Sequence, residues 1–194
     1  MKIGIFGGTF NPPHYGHLIV AEFIREEVGL DKIIFIPCSI PPHKQNNEYL
    51  SQIASPEHRF EMVKLAITGN KFFEVSDIEI NRGGVSYTID TVNYFVSNFP
   101  EEKFYLLIGA DQFAEFHTWR KPDEIVQKVN LIVFNRPGFV IPKTEFSKFA
   151  TFITIPNIEI SASTIRKRIR HGKSIKYLVP PAVEEYILAN KLYI

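Results

Sequence analysis

Apolar residues along the chain fall into short runs separated by segments of helical period. Near-continuous apolar runs at Lys2 to Phe6, Lys32 to Ile36, Phe73 to Ile80, Phe104 to Ile108, Leu131 to Phe134 and Thr151 to Ile155 predict strands. Several lack polar alternation, the pattern of strands covered on both faces. Between them the spacing changes. Leu18, Ala21, Ile24 and Val28 form one helical stripe, closed by Gly29. Phe60, Val63 and Ile67 form a second, with Pro56 placed for its first turn; Ile89, Val92, Phe95 and Phe99 form a third, stopped by Pro100. Strand and helix alternating in this way predict an α/β fold: a doubly wound, mainly parallel sheet with helices on both faces and a small C-terminal helical segment. In such sheets ligands bind beyond the carboxyl ends of the strands, where loops lead into helices.

A length of 194 residues suits one domain spanning 1–194, and 45% apolar with 22% charged residues is ordinary for a globular chain. The net charge of +1 offers no overall field for a nucleic acid or a membrane surface, so neither is an expected partner and any anion site must be local. No signal-peptide pattern opens the chain, and no run approaches the roughly 20 apolar residues that span a bilayer. The single cysteine, Cys38, excludes an internal disulfide and a Cys-rich zinc site; behind an apolar strand it reads as an inert thiol. Together these features predict a soluble cytoplasmic protein. The polar stretch from Ser39 to Ser55 reads as a long loop.

The first strand leads into Gly7-Gly8-Thr9-Phe10-Asn11-Pro12-Pro13-His14-Tyr15-Gly16-His17. Paired glycines allow positive φ and close approach of a ligand. His14 and His17, three residues apart at a helix start, share a face next to N–H groups that already favour an anion. Gly16 would leave room for a phosphate chain between them. A capping or surface histidine is the commoner use of either residue alone, and a pair at this spacing also suits metal, though no third ligand stands nearby. The pattern is neither G-x-G-x-x-G nor the P-loop. A second element, Ile160-Ser161-Ala162-Ser163-Thr164-Ile165-Arg166, places serines ahead of an Ile165/Ile169 helical pair. Alone it is a capped amphipathic helix with a basic outer side.

The first segment resembles the signature of the H-x-G-H nucleotidyltransferase superfamily, whose fold is Rossmann-like, and the second resembles that superfamily's I-S-S-T-x-I-R motif. Ala162 and Ser163 replace its second serine and its threonine. The resemblance implies catalytic roles for His14, His17 and Arg166. It also implies an ATP site formed by Gly7, Gly8, Thr9, Phe10, His17, Gly109, Asp111, Arg136, Ser161, Ser163 and Arg166. Asp111 would meet a ribose hydroxyl, and Arg136 belongs to the adenine-side loop.

The intervening segments, among them Pro41-Pro42-His43-Lys44, Ser86-Tyr87-Thr88, His117-Thr118-Trp119 and Asn135-Arg136-Pro137-Gly138, resemble the bacterial nicotinate-nucleotide adenylyltransferase family from end to end. Asn11 stands where many members carry Asp. The implied reaction joins ATP, carried with Mg²⁺, to nicotinate mononucleotide, in NAD biosynthesis, with no protein metal cage and with a homo-oligomer compatible. Acceptor binding falls to Lys44, Tyr87, Thr88 and Trp119. Lys44 suits the acceptor phosphate, Trp119 suits stacking on a pyridine ring, and the helix opening at Thr88 suits a carboxylate. The alternatives are a nicotinamide-mononucleotide or phosphopantetheine adenylyltransferase, and a nucleotide sensor on the same fold.

Overall fold

The computed structural model describes residues 1–42, 52–136 and 138–194. Lys44, most of the polar loop and Pro137 lie outside the described residues. Six strands form one all-parallel sheet: β1 (Lys2–Gly8), β2 (Lys32–Pro37), β3 (Phe73–Val75), β4 (Lys103–Gly109), β5 (Asn130–Phe134) and β6 (Ala150–Ile153), in the order β3-β2-β1-β4-β5-β6. The order reverses between β1 and β4. Loops leaving these two strands turn to opposite sides and open a crevice.

The helices are α1 (Tyr15–Val28), α2 (Pro56–Ala66), α3 (Ile78–Arg82), α4 (Thr88–Asn98), α5 (Ala110–Ala114), α6 (Pro122–Lys128), α7 (Ala162–Arg170) and α8 (Pro181–Ala189). The sequence stripes supply their buried faces. In α1, Ala21 and Ile24 are fully buried, and Gly29 ends the helix in the left-handed conformation, with φ 64°. In α2, Ser55 caps the start by accepting from the His58 N–H, and Pro56 occupies the first turn. The buried face of α2 is Arg59, Met62, Val63 and Ala66, so an arginine lies inward where the sequence shows only an apolar stripe.

Alternate strand residues feed two cores. Ile3 and Ile5, Ile34 and Ile36, and Leu131 and Val133 pack on one face against Ile89, Val92 and Phe95 of α4 and Ile125 of α6. Phe6, Ile33, Phe35, Ile132 and Phe134 face the other way, onto Val20, Ala21 and Ile24 of α1 and Val63 of α2. A third cluster joins Met62 and Ala66 of α2 to Ile165 of α7 and to Val183 and Ile187 of α8. It carries the C-terminal helices to the mouth of the first loop.

Two strand expectations are corrected. The run Phe73 to Ile80 is strand only to Val75; Ser76 and Asp77 turn the chain and Ile78 to Arg82 is helical. The last strand ends at Ile153, two residues short of Ile155. Among the described residues, no helix is long and apolar enough to cross a membrane.

Candidate active site

The glycines of the first loop do not take the positive φ expected of them. Gly7 and Gly8 finish β1 as extended strand, and neither has positive φ. The left-handed residue is Phe10, at φ 47°. Its ring is buried against Phe6, His17 and Phe35, at centroid distances of 5.8, 5.0 and 5.8 Å, and this packing holds a conformation that a side chain resists. The Phe10 side chain therefore belongs to the core. A Cβ on Gly8 would come within 2.9 Å of that ring, whereas a Cβ on Gly7 would meet nothing within 4 Å. Gly7 leaves open space at the crevice; Gly8 leaves space for Phe10.

His14 is the N-cap of α1, and its backbone N–H donates to Nδ1 of His17 at 3.2 Å. The two imidazoles stack, 3.8 Å between centroids. A nitrogen that accepts carries no proton in a neutral ring, so His17 is the tautomer protonated at Nε2 and can donate there. Gly16 has a different role from the one its spacing suggests. A Cβ at this position would lie 2.9 Å from Nδ1 of His14, so its missing side chain makes room for the His14 ring rather than for a ligand.

Burial pushes the pKa of His14 down from 6.5 to about 3, with the positive charge of Arg136 adding to the effect. Burial likewise lowers His17 well below its ordinary value, helped by His14 and Arg136. Both rings are neutral at neutral pH. Arg136 pairs with Asp111, Nε to Oδ1 at 3.5 Å, and a Cβ on Gly109 would collide with the Asp111 carboxylate and press on Arg136 at 3.2 Å. His14, His17, Gly109, Asp111 and Arg136 thus form one group at the ends of β1 and β4.

The second motif reaches the first loop. Ser161 caps α7, its Oγ accepting from the Thr164 N–H at 3.2 Å and lying 3.1 Å from the exposed Ser163 hydroxyl. From the buried side of α7, Arg166 donates through Nη1 to the Asn11 carbonyl at 2.8 Å. Its Nε is buried with no hydrogen-bond partner among the described residues, as is Nδ1 of His14. A buried donor without a partner is costly.

The acceptor candidates among the described residues border a cleft of about 470 Å³, within the range of small-molecule sites. Gly7, Gly8, Thr9, Tyr87, Thr88 and Trp119 line it. Tyr87 is the N-cap of α4 without a side-chain cap, and Thr88 opens the helix, so N–H groups at its start stand at the wall of the cleft. Trp119 packs on Phe116, 5.2 Å between rings, and its half-buried indole also lines the cleft, so packing and lining coincide in one residue. The Ser86-Tyr87-Thr88 segment is held against the loop after β2, where Ser39 N–H donates to Ser86 Oγ at 2.8 Å and Ser86 N–H to the Ile40 carbonyl at 2.9 Å.

Several residues escaped sequence reasoning. Arg120 lies over the Tyr87 ring at 4.7 Å and lines the same cleft. Glu79, 6% exposed, borders it too, accepting from Thr91 Oγ1 at 2.5 Å; burial raises its pKa. Arg59, 1% exposed, donates to the carbonyls of Thr9, Cys38, Ser39 and Ala54 at 2.6–3.0 Å. One guanidinium thereby joins the loops after β1 and β2 to the entry of α2. Burial pushes the thiol of Cys38 up, in keeping with an inert group. The basic residue Arg120 beside a lone tryptophan was the one visible signal among these. Among the described residues, no three His, Cys, Asp or Glu side chains converge as metal ligands.

A family model described as cytidylyltransferase-like matches residues 5–168. The chain is 46% identical to the probable nicotinate-nucleotide adenylyltransferase of Dictyoglomus turgidum, over all of this chain and 96% of that protein. It is 42% identical to the protein of the same description from Salinibacter ruber, over all of this chain and 98% of that one. In fold it is similar to nicotinic acid mononucleotide adenylyltransferase of Plasmodium falciparum, solved with NaAD: the TM-score is 0.82 at 24% identity, covering 99% of this chain and 97% of the other.

Proposed function

The chain belongs to the cytidylyltransferase-like family, and from that premise we propose that it transfers the adenylyl group of ATP to nicotinate mononucleotide. The products are nicotinate adenine dinucleotide and pyrophosphate, a step of NAD biosynthesis, and the relatives that match it over their whole length carry that activity in their names. A phosphate oxygen of the mononucleotide attacks the α-phosphorus of ATP, and the bond to the pyrophosphate oxygen breaks. The second pKa of a phosphate monoester is about 6, so the nucleophile is already dianionic at neutral pH and no general base is required. Catalysis consists of aligning two anions and stabilising the charge that moves onto the leaving group.

The single observation that carries this reading is Arg166. Anchored by Nη1 on the Asn11 carbonyl, it leaves a buried Nε without a partner among the described residues, where the two phosphate motifs meet. We assign Arg166, Ser161, Ser163 and the start of α7 to the β- and γ-phosphates, and Nε2–H of His17, backed by the stacked His14, to the α-phosphate. Both imidazoles are neutral, with His17 donating through Nε2, so cationic stabilisation comes from Arg166 and Arg136. Gly7, Gly8, Thr9 and the Phe10 backbone border the nucleotide, with Gly109, Asp111 and Arg136 on its ribose and adenine side. Mg²⁺ arrives as MgATP, held by phosphate oxygens and water.

In the acceptor cleft Trp119 stacks on the pyridine ring, the start of α4 at Tyr87 and Thr88 receives its carboxylate, and Arg120 adds positive charge; Lys44, outside the described residues, is assigned to the acceptor phosphate. Residues 1–194 act as one nucleotidyltransferase domain in the cytoplasm. The test is pyrophosphate release from MgATP with nicotinate mononucleotide, nicotinamide mononucleotide or phosphopantetheine offered singly. Release is expected with nicotinate mononucleotide at the highest kcat/KM. Release with phosphopantetheine alone overturns the acceptor, and release with none favours a nucleotide sensor.

A further inference from the structure

The segment after α8 returns to the first loop by a route that its residues resist. Lys191 N–H donates to the Leu188 carbonyl at 3.2 Å and Leu192 N–H to the Ile187 carbonyl at 3.0 Å. This pair of bonds forms a Schellman reversal whose left-handed position normally holds glycine. Here it holds Lys191, at φ 50°, and two residues on Tyr193 is also left-handed, at φ 67°. Two side-chain-bearing residues held in that region imply that the surrounding contacts over-determine them.

Those contacts converge on Asn11, which is 2% exposed. The Tyr193 hydroxyl donates to Asn11 Oδ1 at 2.7 Å, and the Ala54 N–H donates to the same oxygen at 3.0 Å. Asn11 Nδ2 donates to the Gln52 carbonyl at 3.3 Å, while its own backbone carbonyl takes the Arg166 bond. With both lone pairs of the amide oxygen filled, a flip would turn an NH₂ group against two donors. The amide is locked. Burial raises the pKa of Tyr193, so its hydroxyl stays protonated and continues to donate.

We propose that Tyr193 is a positioning residue for adenylyl transfer, its hydroxyl latching Asn11 so that the Asn11 carbonyl holds Arg166 with Nε turned to the triphosphate. The proposal rests on the nucleotide reading above, and neither Tyr193 nor Asn11 is among the residues lining the acceptor cleft. Tyr193→Phe removes the hydroxyl and keeps the ring. It is expected to weaken MgATP binding about two- to tenfold, the range of one lost neutral hydrogen bond, and to lower kcat, with KM for nicotinate mononucleotide unchanged. Ile125→Ala, a cavity in the first core, to which neither Tyr193 nor Ala54 belongs, is the control: it lowers Tm and leaves MgATP affinity within twofold. A purely structural Tyr193 would behave like Ile125.

Calorimetric MgATP affinity and kcat of Y193F equal to those of the unaltered chain overturn the latch alone. An unaltered chain that binds MgATP but releases no pyrophosphate with any acceptor overturns the adenylyl-transfer reading alone. Should Y193F not fold, hydrogen exchange on the unaltered chain decides. MgATP is expected to slow exchange at the Ala54 amide, which shares the Asn11 oxygen, because coupling between the phosphate site and the latch is reciprocal. Exchange there that saturating MgATP does not alter overturns the proposal.

Discussion

Burial of His14 makes a quantitative claim about acid stability. In the folded chain its pKa is about 3, against 6.5 for an unperturbed imidazole. Above 6.5 the ring is neutral in both states and contributes nothing to the pH dependence. As pH falls below 6.5 the unfolded chain takes up a proton that the folded chain refuses, so folding stability is lost, and the loss continues down to the folded pKa. At pH 5 the folded ring is still neutral, so the size of the effect depends on the unfolded pKa alone: RT ln(1 + 10^1.5), or about 2 kcal/mol from this one group. His17 acts in the same direction.

The perturbation is His14→Asn, which cannot titrate and is itself a favoured N-cap. Urea unfolding of each chain at pH 7.5 and pH 5.0, followed by circular dichroism, gives the stability difference between the two conditions. Other titrating groups, the buried carboxyl of Glu79 among them, contribute to both chains and cancel in the comparison. The difference is expected to be about 2 kcal/mol smaller in H14N than in the unaltered chain. Equal differences would mean that His14 is charged or exposed in the folded state. The account of a neutral hydrogen-bonding pair would then fail with it.

Gly16→Ala places a methyl 2.9 Å from Nδ1 of His14, so the ring must leave its stack on His17; pyrophosphate release by a still-folded protein should fall by about tenfold or more, and unchanged kcat would refute the packing role. Arg59→Lys keeps one charge but cannot span four carbonyls in three directions. A loss of about 2–4 kcal/mol in urea unfolding is expected, and a loss under about 0.5 kcal/mol, the range of an ordinary surface change, would count against the junction. Glu79→Gln tests a raised carboxyl pKa: that contribution is fully present below the unfolded pKa of 4.5 and is lost as pH rises through the folded value. The variant should therefore gain stability relative to the unaltered chain at pH 8 compared with pH 4.5, while its amide oxygen still accepts from Thr91; no such relative gain would mean that Glu79 is not held above its ordinary pKa.

The legible parts of this chain are those whose causes are local. Continuous apolar runs identified all six strands, because the parallel sheet buries both faces of its four central strands and the partly exposed edge strands β3 and β6 still carry apolar residues. The stripe of α1 and its closing Gly29 worked for the same reason, as did the serine cap of α7. The over-long strand at Phe73 to Ile80 shows the limit. Ile78 and Ile80 continue the apolar alternation, and only Asp77, at the N-cap of α3, marks the change. Arg59 was hidden differently. A charged residue within Glu57-His58-Arg59 reads as a solvated helix face, and its inward position depends on carbonyls from the connections after β1 and β2. Tyr193 and Asn11 lie 182 residues apart, so neither carries a local sign of the other.

In the histidine motif the structure alters the chemistry that the spacing alone suggests. At two exposed sites, the same pair would titrate near neutrality and suit acid–base or metal work. Burial, reinforced by the charge of Arg136, keeps both rings from protonating, and the bond from His14 N–H occupies Nδ1 of His17. What remains is one directed N–H at Nε2 of His17, in a site where the mobile positive charge is confined to guanidinium groups that do not lose protons. Such a site should hold its hydrogen-bonding state across the pH range in which the acceptor phosphate becomes dianionic. The acid limb of kcat/KM should then follow the phosphate, near pH 6, and shift with the acceptor's second pKa rather than with substitutions at His14.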